Sequence, residues 1–273
     1  MVDPNKSLSY NITIQCSLDG FCFVVHDQEE RKIVDVELYQ TSETEDESVV
    51  MEALEKTIYK KDLYGHPLHS VRYIVGNRYS TLVPEEVFDE TQAETYLRFS
   101  HNLPQEAVIL HEAVTELKSV NVFAVSKQQV ERLRKLWPEV AITHQSSIFL
   151  RSVLKEARKE QTTCTFVNVS SRFFEVAVVD NEQKLRFFNS FKFKTKDDFV
   201  YFLLFALEQQ GLAEKDHPVY FTGLITNRSE IIQLCERYIR RIRFIRPDGS
   251  IDVDMSLNDT PFQYYYIPYK SMS

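Results

Sequence analysis

The residue types able to do chemistry are sparse in this chain of 273 residues. Its six glycines are Gly20, Gly65, Gly76, Gly211, Gly223 and Gly249, and no two lie within ten positions of each other. A P-loop, a G-x-G-x-x-G turn or any other glycine-rich phosphate cradle therefore cannot be assembled. His66-x-x-His69 offers two imidazoles where a structural zinc site takes four ligands, and no cysteine is near in sequence. His101, His111 and His144 are scattered, with no G-x-S-x-G nucleophile pattern. Cys16, Cys22, Cys164 and Cys235 form no C-x-x-C pair and read as buried, reduced thiols. Arg237, Arg240, Arg241, Arg243 and Arg246 alternate with apolar residues. One reading is a patch for RNA or an acidic protein. The favoured reading is a cation-rich helix C-terminus running into an alternating strand, with Asp248, Asp252 and Asp254 as neutralising charges.

Composition narrows the class. A net charge of −8 argues against broad binding of nucleic acid or anionic membrane, although it leaves room for a local basic patch. The N-terminus has no signal-peptide pattern. The longest apolar run, Phe199 to Leu207, is far short of the ~20 residues of a membrane span. The expectation is a soluble cytoplasmic protein of two domains, residues 1–158 and 159–273.

The elements read as follows. Tyr10–Cys16, Phe21–His26 and Lys32–Tyr39 are strands, with Asp19-Gly20 as the favoured dipeptide of a tight hairpin. A helix over about 48–59 and a strand Val71–Val75 follow. Residues 91–100 are helical, and 107–126 hold two strands. Ser126-x-x-Gln129 has the form of a capping box for a helix stopped by Pro138. Val140–Thr143 is a strand, and 147–159 a helix connecting the two halves. Strands Thr163–Val169, Phe173–Val179 and Leu185–Lys192 come next. Thr195-x-x-Asp198 opens a helix that Gly211 closes, apolar nearly all round and so buried on more than one face. Pro218–Ile225 is a strand, and Asn227-x-x-Glu230 opens a helix with Ile231, Leu234, Cys235 and Tyr238 along one side. The aromatic tail from Pro261 to Tyr269 either packs back or docks on a partner; packing back is favoured.

A shift of 153 residues places Ser17 on Ser170, Phe21 on Phe174, Val25 on Val178, Asp27 on Asp180 and Glu29 on Glu182. One residue of slippage then brings Lys32-Ile33 onto Lys184-Leu185. The chain thus carries a β-β-β-α-β unit twice. This order, with Ile14-Gln15-Cys16-Ser17-Leu18-Asp19-Gly20-Phe21 and Phe166-Val167-Asn168-Val169-Ser170-Ser171-Arg172-Phe173-Phe174 at the two first hairpins, resembles the two-lobed actin-like (ribonuclease H-like) fold. Actin, the sugar kinases, the large heat-shock chaperones and the pilus protein PilM share that plan. More closely, the chain is similar to a family of unknown function from Bacteroides-type bacteria with an actin-like fold.

The resemblance implies a phosphate loop of the form Asp-x-Gly in each first hairpin. The matching triplets here are Gln15-Cys16-Ser17 and Asn168-Val169-Ser170. Amides replace both carboxylates and serines replace both glycines. An amide is a weaker Mg²⁺ partner and no general base. The family's adenosine turn, usually Gly-Gly, matches Thr222-Gly223-Leu224 with one glycine. Gln15, Ser17, Asp19, Asn168, Ser170 and Gly223 are therefore expected as vestigial cleft positions, with no catalytic residue, no metal and no cofactor, ATP and Mg²⁺ being disfavoured. The implied function is a non-catalytic pseudo-ATPase acting as an interaction or scaffold protein. The alternatives are a divergent ATPase or small-molecule kinase using Asp19 and Asp180, and RNA or acidic-protein binding through Arg237–Arg246.

Overall fold

The computed structural model describes residues 3–18, 20–41, 47–63, 65–212, 216–257 and 259–272. In chain order the elements are β1 (Tyr10–Ser17), β2 (Gly20–Asp27), β3 (Lys32–Gln40), α1 (Glu47–Lys60), β4 (Ser70–Val75), β5 (Ser80–Pro84), α2 (Ala93–Ser100), β6 (Ala107–Val114), β7 (Ser119–Ser126), α3 (Lys127–Leu136), β8 (Ala141–His144) and α4 (Gln145–Ala157). They continue with β9 (Cys164–Val169), β10 (Phe173–Val179), β11 (Leu185–Lys192), α5 (Lys196–Gln209), β12 (Val219–Gly223), α6 (Glu230–Cys235), β13 (Ile242–Phe244), β14 (Asp252–Val253) and α7 (Tyr266–Lys270). Two compact units result. The first holds Met1–Ser147, Gly249–Thr260 and Ser271–Ser273, and the second Ile148–Asp248 and Pro261–Lys270.

In the first unit the main sheet runs β14-β3-β2-β1-β4-β8. The hairpin strands β1, β2 and β3 are antiparallel, whereas β4 and β8 join parallel to β1. Parallel neighbours need crossovers, and α1 supplies the first. It sets Val50, Met51, Leu54 and Ile58 at helical spacing into a core with Ile14, Phe23, Val25 and Tyr73. Each such buried side chain contributes roughly 1.5–3 kcal/mol. Between β4 and α3 lies a separate antiparallel sheet, β5-β7-β6. Leu97 and Ala93 of α2 pack there with Val83, Val122 and Ala124.

The second unit repeats the plan as β11-β10-β9-β12-β13. The internal match extends to single residue pairs. Cys16 faces Phe21 and Gln15 faces Cys22; a shift of 153 residues turns these into the observed pairs Val169–Phe174 and Asn168–Glu175. The bulge between Val25 and His26 recurs between Val178 and Val179. Asp27 Oδ1 accepts from the Glu29 N–H at 3.0 Å, and Asp180 Oδ1 from the Glu182 N–H at 2.9 Å. The matched aspartates are thus Asx-turn residues that shape a tight corner.

Several expectations need correction. β5 is an additional strand of five residues that the sequence reading does not contain. Ser126 occupies the α3 N-cap but makes no side-chain capping bond, so the capping box is not formed. At Thr195 both reciprocal bonds of the box are present. α5, expected to be buried on more than one face, buries Phe199, Val200, Leu203, Ala206 and Leu207 but leaves Tyr201 64% and Phe205 44% exposed. α6 starts after Ser229 rather than Asn227, because the Ser229 hydroxyl turns back to accept from the Thr226 N–H. α6 ends at Cys235, so Arg237, Arg240 and Arg241 lie beyond it rather than in its last turn; β13 is the expected alternating strand.

The aromatic tail packs back on the second unit. Tyr265, Tyr266, Ile267 and Tyr269 are almost fully buried. The Tyr269 hydroxyl donates to Asp248 at 2.7 Å, and Lys270 pairs with Asp248 at 2.5 Å and Glu156 at 3.1 Å. No helix among the described residues is long and apolar enough to cross a membrane.

Candidate functional site

In open sheets with parallel strands, ligands gather beyond the carboxyl ends of those strands. In the first unit these ends are Cys16-Ser17 of β1, Val75-Gly76 after β4 and His144-Gln145 after β8. Gln15, half-buried on β1, donates from Nε2 to Gln145 Oε1 at 3.0 Å. The Gly76 N–H donates to the Cys16 carbonyl at 2.7 Å. A Cβ at Gly76 would stand 2.8 Å from that carbonyl oxygen and 3.3 Å from Gln145 Oε1, so the backbone approach needs glycine. Ser17 turns its hydroxyl to the Gly20 carbonyl at 3.2 Å, closing the hairpin. Asp19 lies outside the described residues.

Next to this, His144 is wholly buried. Its Nδ1 accepts from the Ser146 N–H at 3.2 Å, which leaves the proton on Nε2, 3.3 Å from Asn77 Oδ1. Burial drives its pKa down to about 3, against a smaller opposing effect of Asn77. The imidazole is neutral at physiological pH.

In the second unit the equivalent ends are Val169-Ser170, Gly223-Leu224 and Phe244-Ile245. The Leu224 N–H donates to the Val169 carbonyl at 2.7 Å, the counterpart of Gly76 to Cys16. Gly223 has φ +88°, and a Cβ there would meet the Val169 oxygen at 2.1 Å and Asn168 Oδ1 at 2.9 Å. Asn168 donates from Nδ2 to Glu175 Oε2 at 2.8 Å, with both side chains buried. Ser170 holds a tight turn through its N–H to the Phe173 carbonyl at 2.9 Å. Within this unit Asn168, Ser170 and Gly223 come together. Asp180 does not join them: it follows the far end of β10, six residues beyond Phe174 at about 3.3 Å per residue.

Glu175 escaped the sequence reading. On a strand that alternates Phe174, Val176 and Val178, a carboxylate at position 175 reads as a solvent-facing residue. β10 is instead buried on both faces along its whole length, so that carboxylate lies inside.

A second polar cluster lines a cavity of about 560 Å³ beside β13. Arg243 Nη1 lies 2.7 Å from Glu160 Oε1 and 2.8 Å from the Tyr220 hydroxyl, which itself donates to Glu160. Burial, reinforced by Glu160, pushes the Tyr220 phenol up to about 12. Arg241 donates to the Asp216 carbonyl at 3.4 Å. Asp248 pairs with Lys270 and Asp254 with Lys32. The partner of Arg243 is therefore Glu160, a residue outside the expected neutralising set.

Two copies of a β-β-β-α-β sheet unit, each extended by a further helix and a parallel strand, define the actin-like ATPase fold. The chain belongs to the family described as protein of unknown function DUF3822, whose profile matches residues 1–242. A Bacteroides thetaiotaomicron protein with an actin-like ATPase fold and unknown function is similar at TM-score 0.77 and 19% identity, over 90% of this chain and 94% of that one. The PilM–PilN type IV pilus biogenesis complex is similar at TM-score 0.64 and 11% identity, over 97% of each chain. No curated protein matches the sequence.

Proposed function

We propose that this chain is a non-catalytic member of the actin-like class that works by holding a protein partner. The observation that carries this reading is the engagement of both triplet amides. Gln15 is tied to Gln145 and Asn168 to Glu175. Groups that would otherwise face a hydrated Mg²⁺ and a phosphate are committed to neighbours in the same unit, and neither is a general base. The similarity to PilM, solved as a complex with PilN, favours a partner-holding role. Calorimetric titration with Mg-ATP, together with a phosphate-release assay, tests it. The reading expects neither micromolar binding nor turnover, and the two together would overturn it.

One observation favours a divergent ATPase or small-molecule kinase as the second reading. Glu175 keeps a carboxylate beside Asn168, one strand away from the position where the fold's own acidic residue is expected. On this reading Glu175→Gln abolishes any measured turnover. Asp180 has no part in it, since that residue shapes a corner at the other end of β10. RNA or acidic-protein binding through the arginine stretch is the least supported reading, because Arg243 is committed to Glu160 and Tyr220.

A further inference from the structure

The duplication makes one copy a template for the other, and the two copies differ at one sheet edge. In the first unit β3 is covered on its outer side by β14, which pairs with it in parallel, Asp252 beside Lys32 and Val253 beside Ile33. The Asp252 N–H donates to the Arg31 carbonyl at 3.1 Å and the Asp254 N–H to the Ile33 carbonyl at 2.9 Å. Lys32 Nζ then holds Asp254 Oδ2 at 2.5 Å, and Ile251 buries its side chain at the start of the segment. In the second unit β11 stands at the end of its sheet, with no strand on its outer side among the described residues.

The features that let β3 receive a strand recur on β11. A shift of 152 residues takes Arg31, Lys32 and Ile33 to Gln183, Lys184 and Leu185. Arg31 and Gln183 both adopt positive φ, 52° and 65°. The bulge follows at the same place in both copies. The Lys184 carbonyl accepts from Asp180 on the β10 side at 3.0 Å, so those of Gln183 and Leu185 alternate outward, as those of Arg31 and Ile33 do. Lys184 is 72% exposed and pairs with its exposed neighbour Glu182 at 2.7 Å. Arg186, Lys192 and Lys194 are exposed along the same strand and its end, giving the edge a basic character.

We propose that the β11 edge binds an extended acidic segment of a partner protein by parallel strand addition, in the way that β3 binds Ile251–Asp254. The occupant is an acidic–apolar–acidic stretch. Its backbone N–H groups take the Gln183 and Leu185 carbonyls, and a carboxylate takes Lys184. Backbone bonds supply the affinity and the lysine pairing the preference. This deepens the partner-holding reading and rests on it only for its biological purpose.

The probe is a fluorescent peptide with this chain's own sequence over residues 249–257, titrated into the full-length protein by polarisation without nucleotide. The expected result is saturable binding that rising salt weakens. Lys184→Glu weakens it about tenfold or more, Lys32→Glu changes it less than about twofold, and a peptide with both aspartates replaced by asparagine loses it. Lack of saturation overturns the proposal, as does indifference to Lys184→Glu or an equal loss with Lys32→Glu. A change of oligomeric state in Lys184→Glu without peptide binding also overturns it, since the edge would then belong to a second copy. Mg-ATP turnover would sink the non-catalytic reading while leaving these titrations unaffected, so the two failures are distinguishable.

Discussion

Asn168 and Glu175 face each other across the β9–β10 pair, with the amide Nδ2 donating to the carboxylate at 2.8 Å and both side chains almost wholly inside. An amide is well suited to this place, because it donates a proton without adding a second negative charge. The residue pair equivalent to it in the first unit, Gln15 and Cys22, contains no carboxylate.

Asn168→Asp restores the fold's usual acidic residue and sets two buried carboxylates side by side. Like charges at that separation disfavour simultaneous ionisation, so one carboxyl keeps its proton in the folded state. The unfolded chain releases that proton above about pH 4, so the variant's deficit grows as pH rises through the carboxylate range. We expect a loss of about 3 kcal/mol at pH 7.5 and a clearly smaller one at pH 5, read by urea denaturation at both values. Millimolar Mg²⁺ restores stability only if the carboxylates make a metal site.

Gly223→Ala is expected to cost about 3 kcal/mol, since the new methyl group meets backbone of Val169 in a conformation that already excludes side chains. Gly211→Ala serves as control: its φ is +64° but no atom lies within 4 Å of the new Cβ. There only the backbone preference is felt, at about 1 kcal/mol. Thermal melts that show equal losses for the two variants would contradict the close approach at Gly223.

His144 predicts an acid-sensitive fold. Its folded pKa of about 3 lies below the ordinary histidine value of 6.5. The unfolded chain therefore takes up a proton that the folded one refuses. Its stabilising contribution is complete above about pH 6.5 and is lost as pH falls toward 3, at up to about 1.4 kcal/mol per pH unit. His26 and His101, whose pKa values burial also lowers, act in the same direction. The stability difference between wild type and His144→Gln should shrink over that interval and stay flat from pH 7 to 9. A constant difference at all pH values would mean that His144 does not titrate as described.

The hairpins were legible in the sequence because β-branched and aromatic residues alternate between strong turn signals, and because the second copy repeats the first with near-constant spacing. The repeat located residues 15–17 and 168–170 without any catalytic motif. What was hidden depends on neighbours distant in sequence. Glu175 lies inside because β10 is covered on both faces, which its own alternation does not record. Tyr201 and Phe205 stay exposed although the residues around them are as apolar as those of a helix buried on every side. β14 is two residues long and exists only because the Arg31 and Ile33 carbonyls receive it.

That late strand bears on the order in which the protein matures during synthesis. The outer edge of β3 emerges from the ribosome early, but Asp252 and Val253, which cover it, follow β9 to β13 of the second unit. Until they arrive, the nascent first unit presents an open sheet edge of the kind that captures other strands. Closure of the first sheet thus waits on the synthesis of most of the second unit. A nascent chain stalled after β13 would leave the outer edges of both β3 and β11 without a neighbouring strand.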